Sequence, residues 1–326
     1  MKTNRTNEII DIGTAVGLIM DSDRILVQMH RNPDGDTIGC AYALWSALRH
    51  LGKTVMVGCC DKIPAMYSYL TELYDLQSQT FSPSVVISVD AGSLSQLGDF
   101  MNPCEGILLS IDHHDSNTMY ASYNLVDSSY ASCCEIVYEL IDTLSVKLDE
   151  YIASAIYTGV STDTGCFKYR NTTANAHYVT ARLIETDIDL GMLNRVLFES
   201  KTKEFLQLQQ LAIASLKFYL DDKIAVTTVT RDMFELSGAV EEDMTNISPL
   251  ARAIDGVEVG LTFRETSKGS IKCSVRSSDK VDASAICRLF GGGGHKGAAA
   301  FECTGDMTEI QTKTIDTVIS FLKNSE

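Results

Sequence analysis

The stretch Ile25-Leu-Val-Gln-Met29-His30-Arg-Asn-Pro-Asp34-Gly-Asp36-Thr-Ile-Gly39 decides the fold. Its first five residues are a short apolar run suited to a buried strand. Beyond the turn, Gly39–Leu51 carries helical apolar spacing and Gly52 is its stop. The pattern recurs outward from there. Short β-rich runs stand at Thr54–Val57, Val85–Val89 and Gly106–Ile111, and Ile9, Ile10, Ala15, Val16 and Ile19 have helical spacing ahead of them. Apolar runs alternating with helices predict an α/β fold on a parallel sheet covered on both faces.

Ala131 to about Asp187 reads as mostly helical, and a long helix is expected over Thr202–Tyr219. Strands are expected at Lys223–Thr230, Val257–Phe263 and Ser270–Ser277, and a closing helix at Met307–Leu322. The spacing therefore predicts an N-terminal domain over 1–190, a helical linker over 191–221 and a smaller α/β domain over 222–326. Five prolines in the whole chain favour a helical link over a flexible tether.

At about 100–200 residues per domain, a chain of 326 residues has room for two. With 45% hydrophobic and 21% charged residues, wholesale disorder is excluded. The longest apolar runs fall far short of the roughly 18 residues a membrane span needs. The opening MKTNRTNEIIDIG is polar where a signal peptide needs an apolar run, so a cytoplasmic protein without a membrane partner is expected. Ten cysteines without a C-x-x-C spacing read as small buried side chains in a reducing compartment. A net charge of -16 argues against binding long nucleic acid. The window Gly260–Ala300 nevertheless carries +4, leaving -20 on the remainder. A local basic face on an acidic protein suits a short anionic ligand.

Four segments stand out for chemistry. His30 to Gly39 follows the first apolar run, Asp90 follows Val85–Val89, and Asp112-His113-His114 follows Ile107–Ile111. The fourth, Thr158-Gly-Val-Ser-Thr-Asp163-Thr-Gly165, follows an apolar helix. In an open α/β sheet the first three should converge on the carboxyl edge of the strands. Asp34, Asp36, Asp90 and Asp163 together with His30 and His113 would crowd four carboxylates into one site. Such crowding is strongly unfavourable unless cations sit between them. Histidine and carboxylate without thiolate suit manganese or another octahedral ion, and two ions at roughly 3.5–4 Å are an arrangement for displacement at phosphorus. Each segment alone has a plain structural reading, as a solvated turn or a strand-ending acid; their occurrence in order is what carries the inference. His50 and His177 read as helix-surface residues.

In the second half, four glycines at Gly291–Gly294 follow a helical run, Ala283–Phe290. They would cap it and expose backbone N–H groups as an anion-binding nest. His295 and Lys296 add donors. Ser274 and Arg276, two apart on a strand, project together, and Arg276 is suited to gripping phosphate or stacking on a base.

The ordered set HRNPDGD, SVD, DHH and STDTG resembles the DHH phosphoesterase family. Gly291-Gly-Gly-Gly-His295-Lys-Gly-Ala-Ala-Ala300 is similar to the glycine-rich signature of that family's associated C-terminal domain. Size and motif set resemble most the branch that degrades very short RNA and dephosphorylates adenosine 3′,5′-bisphosphate. The resemblance implies two divalent ions, manganese above others. One would take His30, Asp34 and Asp90; the other Asp36, Asp90, His113 and Asp163, with Asp90 bridging. It implies that His114 faces substrate and that Asp112 orients His113. Arg276, Ser274, Gly292, Gly293, Gly294 and His295 would bind substrate. Partners would be short oligoribonucleotides and mono- or dinucleotide phosphates, and a homodimer stays open. Cyclic di-AMP hydrolysis is the alternative, and a non-catalytic nucleotide sensor the alternative of another class. Cys40 and Ala300 depart from the family pattern, which often has serine and glycine there.

Overall fold

The computed structural model describes residues 7–72, 82–100 and 107–323. The chain falls into two compact units, Met1–Ser200 and Lys201–Glu326.

The first unit is built on six strands: β1 Glu8–Ile9, β2 Arg24–Gln28, β3 Thr54–Gly58, β4 Val85–Val89, β5 Ile107–Asp112 and β6 Tyr123–Val126. All pair in parallel, in the order β1-β6-β5-β4-β2-β3. This is the α/β parallel sheet that the alternating pattern predicts; Gly106 lies outside the described residues. Both faces are covered. Ile25, Val27, Ile87 and Val89 face a large core shared with the helices Gly35–His50, Cys133–Thr143 and Glu150–Asp163. Leu26, Val86 and Leu108 face a smaller one with Leu97 and Tyr120.

The helix after β2 begins at Gly35, four residues before the expected Gly39. Asp34 is its N-cap, and its Oδ1 accepts from the N–H groups of Asp36 and Thr37 at 3.2 and 3.3 Å. Asp36 therefore sits in the first helical turn instead of in a loop. That helix crosses Glu150–Asp163 at very close range. A Cβ on Gly39 would overlap the Ala155 carbonyl, and one on Gly159 would overlap Cys134 Sγ and stand 2.5 Å from Asp36 Oδ1. Only glycine allows this approach.

The second unit holds β7 Lys217–Tyr219, β8 Ile224–Val229, β9 Val259–Glu265, β10 Ile271–Ser277, β11 Gly293–His295 and β12 Ala298–Cys303. Their order is β11-β12-β10-β9-β8-β7, with β8 and β9 parallel and the other pairs antiparallel. The helix expected over Thr202–Tyr219 runs only over Lys203–Ala214. Ser215 ends it: its hydroxyl donates to Ala212 O and accepts from Thr228 N, and Lys217–Tyr219 then joins the sheet beside β8. Residues 191–221, expected as a helical linker, contain this helix, which packs through Phe205, Leu208 and Ala212 against Val229, Phe234 and Ile247. The glycine run is not a free loop. The N–H groups of Gly291 and Gly292 donate to Arg288 O and Cys287 O and cap the helix Ala283–Arg288, and Gly293–His295 becomes the edge strand β11. Those first two amides are therefore used in capping and do not form the expected nest.

Candidate metal centre

Because β2, β4 and β5 run parallel, the residues after them gather at one edge. His30 follows β2, Asp90 follows β4, and Asp112, the last residue of β5, leads into His113 and His114. Thr37 ties the edge together: its hydroxyl donates to Val89 O at 3.1 Å. Asp90 N–H donates to Ile111 O at 2.9 Å, and Asp90 holds a left-handed φ of 55°. For a residue other than glycine that conformation costs on the order of 1 kcal/mol or more, and it aims the carboxylate back over the sheet edge.

The helix Gly35–His50 brings Asp34 and Asp36 to the same edge, and Glu150–Asp163 ends there with Asp163. Asp36 is fully buried. Its carboxylate accepts from Cys133 N–H at 2.6 Å and Cys134 N–H at 2.9 Å, at the start of the helix Cys133–Thr143. A helix N-terminus is where a buried anion is tolerated.

Two groups of donors result. His30 Nε2 lies 3.5 Å from both Asp34 Oδ1 and Asp90 Oδ2. His113 Nε2 lies 3.3 Å from Asp163 Oδ2, 3.5 Å from Asp90 Oδ1 and 3.8 Å from Asp36 Oδ2. Asp90, only 4% exposed, stands between them with one oxygen toward each histidine. Asp90 Oδ1 and His113 Nε2 are buried without a well-formed hydrogen bond. Orphaned atoms of this kind, a carboxylate oxygen and an imidazole nitrogen facing each other, are donors placed for a cation.

Electrostatics points the same way. Burial first, then Asp90 and Asp163, push the Asp36 carboxyl well above the usual carboxylate range. Burial, with Asp34 and Asp163 adding to it against the His30 contact, pushes Asp90 up to about 6. Burial would lower His30, but the Asp34 and Asp90 carboxylates outweigh it and hold it up at about 11. Burial likewise opposes protonation of His113, yet Asp163, Asp36 and Asp90 hold it at about 10. Metal-free, the cluster retains protons where positive charge is needed; divalent cations satisfy the same demand.

All six residues predicted as ligands thus come together. The structure corrects one role. Asp112 was expected to orient His113, but its Oδ1 binds His114 Nδ1 at 2.7 Å, while the ring of His113 is steered by Tyr130 O, 3.3 Å from its Nδ1. Asp112 gives His113 only a backbone bond, accepting its N–H at 2.8 Å. Asn117 was missed by sequence reasoning. It donates to Asp112 Oδ2 at 2.6 Å and to Ala91 O at 3.2 Å, linking the two strand-end loops. Its signal was only a polar residue five positions after Asp112, typical of any turn. His50 lies 3.5 Å from Asp149, and His177 stacks on Phe167 at the helix surface.

In the second unit, Ser274 and Arg276 line a cavity of about 300 Å³ together with Thr262, Arg264, Lys272 and Ser248. Arg264 and Lys272, counted in the sequence only as charge, belong to this lining because β9 and β10 pair them directly. Register sets Thr262, Ser274, Ala300 and Gly293 in one cross-strand row, and Arg276, Ala298 and His295 in the next. The opposite face carries the apolar core of Leu261, Phe263, Cys273, Val275 and Phe301.

Residues 24–160 match the N-terminal domain of the DHH family and residues 221–324 match the DHHA1 domain. The chain is 30% identical over 298 residues to the bifunctional oligoribonuclease and PAP phosphatase NrnA of Thermus thermophilus, covering 90% of this chain and 89% of the relative. This chain belongs to the DHH family. As a member of it, the protein is a metal-dependent hydrolase. It is also 25% identical over 283 residues to the NrnA of Bacillus subtilis, covering 84% and 87% of the two chains. The DHH fold is shared with an exopolyphosphatase-related protein from Bacteroides fragilis, with a TM-score of 0.83, 23% identity, and 96% and 95% of the chains covered. Among the described residues no helix is long and apolar enough to cross a membrane.

Proposed function

We propose that the protein hydrolyses very short oligoribonucleotides to nucleoside monophosphates and removes a phosphate from adenosine 3′,5′-bisphosphate, with manganese as its ion. One observation carries the reading: a buried histidine–aspartate cluster with two orphaned donors, in a chain similar along most of its length to relatives named for those two activities. In this reading His30, Asp34 and Asp90 hold one ion, and Asp36, Asp90, His113 and Asp163 hold the other. Oxygen and imidazole donors without thiolate suit manganese. When bound, the two ions supply an activated water and neutralise charge developing on the phosphoryl oxygens.

The remaining steps belong to the chain's own residues. Asp112 holds His114 Nδ1, which leaves Nε2 of this 43% exposed side chain to donate to a phosphate oxygen or to protonate the leaving oxygen. Asn117 fixes Asp112 in turn. The division of labour, catalysis in the first unit and substrate reading in the second, is part of the proposal. Lys272 and Arg276 supply positive charge beside Ser274 in a cavity at the small end of ligand sites, where Arg264 pairs with Glu241 at 3.2 Å, with Gly293 and His295 continuing its rows. A basic surface this small on a chain of net charge -16 favours ligands with few phosphates.

The test is hydrolysis of a dinucleotide, adenosine 3′,5′-bisphosphate, cyclic di-AMP and RNA up to about twenty nucleotides, with manganese, at low and moderate salt. Dinucleotide and bisphosphate should be the better substrates, with efficiency falling as RNA lengthens. Arg276→Ala should raise KM for the dinucleotide about tenfold. Equal cleavage of the twenty-mer, or a preference for cyclic di-AMP, would contradict the proposal.

A further inference from the structure

Beneath the histidine–aspartate cluster lie two thiols that the proposed hydrolysis does not use, beside Asp36, which it does. Cys40 Sγ is 3.4 Å from Cys134 Sγ and 3.8 Å from Asp36 Oδ1, and all three side chains are fully buried. One ligand atom from each lies within 4.8 Å of the others. We infer that Cys40, Cys134 and Asp36 form a site for a thiophilic divalent cation, of the zinc or cadmium class, separate from the pair of ions at the cluster above.

The spacing suits such an ion. With Zn–S near 2.3 Å and Zn–O near 2.0 Å, a tetrahedral centre sets two sulfurs about 3.8 Å apart and a sulfur and an oxygen about 3.5 Å apart. The observed 3.4 and 3.8 Å separations need shifts of only a few tenths of an ångström. The lone pairs of Asp36 also leave room. Its Oδ1 accepts from Cys134 N–H and its Oδ2 from Cys133 N–H. Each oxygen keeps a second acceptor direction, Oδ2 toward His113 and Oδ1 toward the thiols. Cys133 Sγ turns instead to Ile111 O, 3.2 Å away, and is not counted as a ligand.

Donor chemistry separates the two places. The cluster above offers only oxygen and imidazole, whereas two sulfurs select a soft or borderline ion. Asp36 is common to both. An ion held by the thiols draws Oδ1 toward itself and moves the carboxylate that faces His113, so occupancy restrains the centre above it. Cys40 makes this a property of this chain, since serine at that position supplies no thiolate.

The probe is cadmium chloride added to the manganese-loaded full chain, with a non-thiol reductant present so that no disulfide forms. Binding is followed by ultraviolet cadmium–thiolate absorption and by equilibrium dialysis. Wild type and Cys60→Ser, which alters an exposed cysteine, should bind one tight cadmium with thiolate absorption. Cys40→Ser and Cys134→Ser should bind it about 100-fold more weakly and lose the absorption. Absorption that persists in both variants, or disappears in Cys60→Ser, overturns the proposal. Melting curves show whether the variants fold. Should they not, X-ray absorption at the cadmium edge of the wild type decides, because two sulfurs with oxygen are expected and a shell of oxygen alone, or of four sulfurs, refutes the site. None of these readouts depends on the substrate.

Discussion

Asp90→Asn is expected to yield a folded protein with turnover reduced about a thousandfold or more on every substrate. Asp90 alone presents an oxygen to both histidines, Oδ2 to His30 and Oδ1 to His113, each at 3.5 Å. Replacing one oxygen by an amide nitrogen removes a donor from one group and the shared negative charge from both. Asparagine is a better choice than alanine because it tolerates the left-handed φ of 55° at this position. Loss of activity then reports chemistry and not backbone strain. Dinucleotide hydrolysis in saturating manganese, with a melting curve beside it, checks this. Near-normal turnover of the folded variant would falsify the bridging role.

Gly159→Ala is expected to damage the fold and the centre together. The added methyl would collide with Cys134 Sγ and press on Asp36 Oδ1 at 2.5 Å. Overpacking of this kind costs about 1–3 kcal/mol of stability. Whatever strain is relieved by moving Asp36 misplaces a proposed ligand, and a shift of about 1 Å can cost roughly a hundredfold in rate. Both the melting temperature and kcat should fall. Gly17→Ala is the control, because nothing lies within 4 Å of a Cβ built there and alanine favours the helix Ile12–Met20. Wild-type melting and rate in Gly159→Ala would mean that the helix crossing is softer than its contacts imply.

The four strands β2 to β5 and the six cluster residues were legible because their signals are local; β6 was not expected, and β1 at Glu8–Ile9 falls where helical spacing was read. A buried parallel strand is a short apolar run, and the residue after it lands at the carboxyl edge whatever the loop does next. Contacts between distant segments were not legible. Nothing near Gly39 or Gly159 tells that the two helices cross there with Asp36 and Cys134 between them. The exchange of roles at Asp112 is equally non-local, since the ring of His113 is steered by Tyr130 O from beyond β6. The same limit explains the glycine run. Four glycines read as a helix cap and an anion-binding nest, and only the register against Ala298–Ala300 shows that three residues from Gly293 form an edge strand. Arg264 and Lys272 were visible as charge, but their place beside Ser274 and Arg276 depends on strand pairing. Helix length failed at Ser215, where a hydroxyl bridging Ala212 and Thr228 outweighs a continuing apolar pattern.

That the histidine–aspartate cluster is a two-ion centre is tested most directly by calorimetric titration of manganese into metal-free protein at several pH values. His30, held at about 11, and His113, held at about 10, are both protonated in the metal-free state at neutral pH. A ligating nitrogen must shed its proton, so loading releases protons, and affinity should rise with pH up to those values. The expected result is two manganese ions per chain, with at least about two protons released near pH 7 and tighter binding at pH 8 than at pH 6. A single ion per chain, or binding that releases no protons and ignores pH, would contradict it.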